Sequence, residues 1–165
     1  MSILPDILAT YRGPRAVYAR RLPGGPREDR ALALLMAACG VIFVAQWPKL
    51  ARVAHIDQVE LNPLLGSQLL LWVFMMPLFF YVISLLAQGG MRLLGKPISG
   101  YGSRIALFWA LLATTPIALF RGLVGGFIGT GTLYDVVGLV GFICFFWFWT
   151  AGLQTATKAA SATGA

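Results

Sequence analysis

The run from Leu64 to Ala87 contains no charged residue, and that feature narrows what the chain can become. A helix needs about 20 apolar residues to cross the hydrocarbon core of a bilayer, so a run of this character reads as a membrane span. A small soluble fold would bury only about two-thirds of the surface its chain exposes. This chain is 58% hydrophobic and 12% charged, where soluble domains carry about 25% charged residues. Inside lipid every backbone polar group must be bonded within the protein, which restricts the span to helix.

Three further apolar runs accompany it. The first covers residues 31–47 and closes at Gln46-Trp47-Pro48, with Trp47 suited to the headgroup level. The next covers 104–120, with Pro116 in its last turns and Arg121 beyond. The last covers 133–153 and is crowded with Phe142, Phe145, Phe146, Trp147, Phe148 and Trp149. The expected fold class is therefore all-α, a polytopic transmembrane helical bundle of about four spans. The transmembrane domain occupies 31–153, after a leader over 1–30 and before a small, polar and flexible tail over 154–165. Asn62 and Pro63 read as the cap and first turn of the second span. Pro77 predicts a kink inside it.

The leader is amphipathic. Ile3, Leu4, Ile7, Leu8 and Tyr11 recur at helical spacing, with Asp6 and Arg12 off that face. Gly13-Pro14 interrupts the pattern, a second helix follows as far as Leu22, and Pro23-Gly24-Gly25-Pro26 turns the chain. Such segments lie in the membrane interface. Arg12, Arg15, Arg20 and Arg21 are the candidate contacts for anionic lipid headgroups, each worth roughly 1 kcal/mol near the surface. This placement accounts for a net charge of +7 without nucleic acid, whose binding also selects for basic residues. Of thirteen Lys and Arg residues, only Lys49, Arg52 and Arg121 fall on the side opposite the leader. By the positive-inside rule both termini are then cytoplasmic.

No pattern of residues offers chemistry. Cys39 and Cys144 sit singly in apolar runs and read as small buried hydrophobes. His55, near Asp57 and Glu60, reads as a solvated loop residue. Gly90 to Lys96 fits the start of a phosphate-binding loop, but Pro97 stands where Ser or Thr must bind magnesium, and a membrane helix precedes it instead of a strand. No catalytic residue, cofactor or metal ligand is expected, and the chain does not read as an enzyme. The spacing does offer helix packing. Ala106, Ala110 and Thr114 fall four apart, and Gly122/Gly126 and Gly125/Gly129 have the GxxxG separation that lets helices approach closely. Gly122 to Gly131 reads either as a tight linker or as half of a broken helix. Thr132 to Asp135 resembles a capping box.

Several of these features together resemble one family. The leader Gly13-Pro14-Arg15-Ala-Val-Tyr-Ala-Arg-Arg-Leu22 is similar to the helix that opens bacterial Yip1-domain proteins. The Ser99–Ser103 loop, continuing through Arg104-Ile-Ala-Leu into a span with Pro116, looks like that family's central signature. The aromatic span ending Leu153-Gln154 also fits. The resemblance implies a multi-pass protein of the bacterial inner membrane. The family has five spans where four are counted here, and Gly122–Gly131 is the candidate for the missing piece. The expected function is a non-enzymatic membrane scaffold or accessory protein. Its expected partners are membrane lipids and other integral membrane proteins or further copies of itself, with Tyr101 to Arg104 facing the cytoplasm as a contact. The alternative is a small transporter or channel component, though no span carries a charge in mid-membrane and no internal repeat is visible.

Overall fold

Apolar segments that cannot hydrogen-bond to lipid satisfy their backbone by coiling, and nearly all of this chain is coiled. The computed structural model describes residues 3–22, 27–96 and 98–163. In order they form α1 (Ile3–Arg12), α2 (Pro14–Arg21), α3 (Glu28–Ile56), α4 (Leu61–Leu69), a π-helical turn (Leu70–Met75), α5 (Met76–Leu93), α6 (Gly100–Phe127) and α7 (Thr132–Thr163). No strand occurs among the described residues. The stretches long and apolar enough to cross a membrane are 4 in number: Glu28–Ile56, Leu61–Leu93, Gly100–Phe127 and Thr132–Ala162. The chain is an all-α bundle of membrane-spanning type.

α6 is its axis. In its most apolar window 56% of the residues are buried, against 17% for the α4–α5 span. α3 packs along one side of α6 and α7 along another. Contacts between α3 and α6 climb together, from Glu28–Arg104 through Ala45–Gly122 and Pro48–Gly126 to Arg52–Phe127, so these two helices run parallel. Contacts between α6 and α7 run in opposition, from Gly102–Ala156 and Ala106–Gly152 to Ile117–Gly141 and Arg121–Gly138. The starts of α3 and α6 and the end of α7 therefore share one end of the bundle with the leader. The turns at 57–60 and 128–131 share the far end.

Several boundaries differ from those expected. α3 does not stop at Trp47 but continues through Pro48 to Ile56. Proline removes one backbone donor, and packing against α6 offsets that loss. Residues 122–127 are neither linker nor half-helix but the last turns of α6. Glycine weakens an isolated helix by about 1 kcal/mol relative to alanine. Here it lets two backbones meet, because a Cβ on Gly122 would overlap the Ala45 carbonyl and one on Gly126 would strike Pro48. With that run absorbed into α6 there is no fifth span among the described residues. The expected flexible tail is helical as far as Thr163. Alanine is the best helix former, and the hydroxyls of Thr155, Thr157 and Ser161 donate to the carbonyls of Ala151, Gln154 and Thr157.

Ser99–Ser103 is likewise a helix start and not a loop. Ser99 caps α6 by accepting from the Gly102 backbone N–H at 3.0 Å, the usual use of serine at this position. Tyr101, Gly102 and Ser103 are buried, so they cannot serve as the cytoplasmic contact expected of them. The distortion expected at Pro77 takes the form of the π turn directly before it. Pro77 has no N–H to offer and its ring crowds the carbonyl four residues earlier, at Val73. At the start of α4, Glu60 rather than Asn62 occupies the cap position. The turn expected at Pro23–Pro26 and the Pro97 position lie outside the described residues.

Candidate functional site

Polar side chains in a membrane protein are costly unless paired, so the places where they gather are the places to examine. Among the described residues the largest gatherings lie at the two ends of α6.

At the leader end, Gly13 separates α1 from α2, which opens on Pro14, and the two short helices fold across α6 and α7. Tyr18 is fully buried and its hydroxyl donates to the Ala106 carbonyl at 2.9 Å. The Tyr11 hydroxyl donates to the Ala113 carbonyl at 2.9 Å, and its ring meets Phe148 edge-on with centroids 5.0 Å apart. Trp109 Nε1 donates to Thr10 Oγ1 at 3.1 Å, while the Thr10 hydroxyl donates to the Asp6 carbonyl at 2.7 Å. Arg21 is 3% exposed. It donates to Asp6 Oδ2 at 2.6 Å and lies over the Trp109 ring, its Cζ 3.6 Å from the centroid. Arg20 takes the other carboxylate oxygen at 3.1 Å.

The electrostatics follow from burial. Desolvation pulls the Arg21 guanidinium below its usual value, and the Asp6 carboxylate opposes that shift. Desolvation pushes the Tyr11 phenol up to about 12, and the deeper burial of Tyr18 moves it in the same direction. Both phenols stay neutral donors at physiological pH. The cluster fastens the leader to the bundle. No free nucleophile or base lies in it.

Of the four candidate headgroup contacts, Arg12, Arg15 and Arg20 are exposed, and Arg15 also donates to Gln154 on α7 at 2.8 Å. Arg21 is the exception. Its charge is enclosed by Asp6 and Trp109, so it does not reach the headgroups. The small residues of α6 all meet parts of this chain. Ala106 stands against Tyr18 and Gly152, and Ala110 joins Ala113 and Phe148 in a small cluster. The Thr114 hydroxyl donates back to the Ala110 carbonyl at 2.8 Å. Gly122 and Gly126 face α3, and Gly125 faces Tyr134 and Lys49. Gly129 has φ +104 and sits under the Arg52 guanidinium, a backbone conformation that favours glycine.

At the far end, Arg52 donates to the Gly126 and Phe127 carbonyls at 3.2 Å each. It closes the C-terminus of α6, where the helix dipole favours a cation. Arg121 donates from Nε to the Tyr134 carbonyl at 3.3 Å and stacks over the Tyr134 ring at 3.9 Å. Beside them α3, the π turn, α6 and α7 enclose a cleft of about 310 Å³.

The residues that sequence reasoning missed are Asp6, Thr10, Tyr11, Tyr18, Trp109 and Tyr134. One signal was available: a lone carboxylate among five arginines in residues 1–27 needs a reason to be there. Their long-range partners had no local signature. No family model matches the chain, and no curated protein and no solved structure matches it.

Proposed function

We propose that the chain is a non-enzymatic scaffold or accessory protein of a bacterial inner membrane, Yip1-like in type, with both termini cytoplasmic. Its leader meets anionic headgroups through Arg12, Arg15 and Arg20, and its lateral face meets another integral membrane protein or a second copy. The observation that carries this reading is the α4–α5 span, the most apolar of the chain and the least covered. Phe74, Leu78, Phe79 and Leu86 lie exposed along it. Helices associate in lipid by packing alone, and this face offers a large surface for it.

One feature favours a second reading, a small transporter or channel component: the cleft between α3, α6 and α7 contains Gln46, Thr114 and Arg121. Purification of the full chain in mild detergent tests the first reading. A stoichiometric complex, with itself or with one membrane protein, is the expected outcome, abolished by Phe79→Glu. A monomer that conducts or transports solute in liposomes overturns it in favour of the second.

A further inference from the structure

The far end of the bundle holds Lys49, Arg52 and Arg121 together with the carboxylates Asp57, Glu60 and Asp135, yet no ion pair joins them among the described residues. Ion pairs gather at the leader end, where Asp6 meets Arg20 and Arg21, Asp29 meets Arg27, and Glu28 meets Arg104. At the far end no carboxylate of the described residues comes within 4.0 Å of Lys49, Arg52 or Arg121. Asp135 follows Tyr134 in sequence, yet it is exposed and pairs with none of them.

Arg52 is satisfied by the carbonyls at the end of α6. Lys49 and Arg121 are not satisfied in the same way. Lys49 Nζ has one long bond, 3.5 Å to the Tyr134 hydroxyl, and stands 5.3 Å from the centre of that ring. Arg121 uses only Nε on the backbone, so its two terminal nitrogens have no acceptor among the described residues. Its position is built in: a Cβ on Gly138 would come within 2.7 Å of Arg121 Nε, so α7 has a glycine where the guanidinium crosses. Both cations are half-buried. A half-buried charge with no counter-ion carries part of its desolvation cost uncompensated, and an anion brought to the site would relieve that cost.

The cleft says what the anion is attached to. Its volume, about 310 Å³, is near the lower bound of about 300 Å³ for small-molecule sites. Arg121 and Tyr134 stand at one edge, with Lys49 just beyond the lining at the Tyr134 hydroxyl, and Gln46 and Thr114 interrupt a wall otherwise apolar, with Ile42, Trp72, Leu111, Ile117 and Val137 among its residues. Phe142, 60% exposed, stands at its rim. A cation at one edge and a mostly apolar wall along the remainder match an acyl chain with an acidic head.

We propose that this cleft holds one anionic lipid, its phosphate on Lys49 and Arg121 and an acyl chain along Ile42, Leu111, Ile117 and Val137. Guanidinium and ammonium groups bind phosphate oxygens through charge-assisted hydrogen bonds. The site lies at the opposite end of the bundle from the leader and does not depend on the scaffold reading.

Native mass spectrometry of the full chain in detergent tests it. The chain is titrated with phosphatidylglycerol, with phosphatidylcholine of the same acyl chains, and with inorganic phosphate. One phosphatidylglycerol per chain is expected to be retained about tenfold more strongly than phosphatidylcholine, and millimolar-range phosphate is expected not to displace it. Lys49→Gln or Arg121→Gln should remove that preference, Ala118→Phe should block the cleft to both lipids, and Arg15→Gln on the leader should change nothing. If Arg121→Gln does not fold, Lys49→Gln and Ala118→Phe decide alone, since one lies on α3 and the other touches no charge. Equal retention of the two lipids, or an unchanged preference in Lys49→Gln, overturns the proposal. So does displacement by phosphate alone, which marks a free-anion site, or a dimer whose formation expels lipid, which marks a second copy as the occupant.

Discussion

Asp6 is one short side chain in a strongly basic leader, yet it receives both Arg20 and Arg21 and helps set where α1 stops against α6. Arg21 is enclosed by Asp6 on one side and Trp109 on the other, at 2.6 Å and 3.6 Å. Removing one partner of a buried pair leaves a charge with nothing to offset its desolvation, at a cost of about 3–5 kcal/mol. Asp6→Ala alone should therefore lower the thermal stability of the chain in detergent sharply. Asp6→Ala with Arg21→Met should recover most of the loss. A cycle in which the two changes simply add would mean that Asp6 and Arg21 do not act as a unit. The tyrosines beside them give a pH signature. Because burial raises the Tyr11 phenol to about 12, the folded leader prefers the neutral form. Its contribution is fully present below the ordinary value near 10 and is lost as pH climbs toward about 12. Amide exchange in residues 7–18 should accelerate over that range, and Tyr11→Phe should weaken the dependence, with Tyr18, shifted in the same direction, carrying what remains. A leader that loosens at neutral pH would contradict the assignment.

At the scale of elements, the span positions were legible in the sequence and their ends were not. Hydropathy alone locates four spans because water and lipid exclude different residues. It cannot tell that Pro48 is carried inside α3, since that depends on Gly122 and Gly126 two spans later. The same glycines looked like a linker because glycine destabilises an isolated helix, and only contact with the Ala45 carbonyl turns the absence of a side chain into an advantage. The Ser99–Ser103 run shows the reverse. Its glycines and serines suggested an exposed loop, whereas Ser99 caps α6 and Gly102 admits Ala156 of α7. Gly122→Leu tests the α3–α6 seam. Overpacking of this kind costs about 1–3 kcal/mol, with more expected where the obstacle is backbone, and should appear as a lowered Tm in detergent. Gly66→Leu, in open space on α4, is the matched control and should be nearly neutral.

The whole molecule is a parallel pair, α3 and α6, closed by α7 on one side and attended by the less covered α4–α5 span. The leader folds back across its open end. The pattern of charges is consistent with that arrangement, since the leader end holds most of the basic residues and the far end retains Lys49, Arg52 and Arg121. An even number of crossings puts the leader and the end of α7 on the same side of the membrane. Reporter fusions after residue 58 and after residue 131 should therefore report the same compartment, and a fusion after residue 96 the other. Opposite signals from 58 and 131 would break the four-span topology.

The leader distinguishes this molecule from a generic helical bundle: its sequence reads as a strip lying on the lipid, and in the structure it is a fastened part of the protein. A photo-crosslinking amino acid in place of Tyr11, activated in native membranes and mapped by peptide mass spectrometry, tests that claim directly. Adducts are expected within the same chain, on the α6 peptide around Ala113 or the α7 peptide around Phe148. Adducts to lipid, with neither peptide labelled, would contradict it.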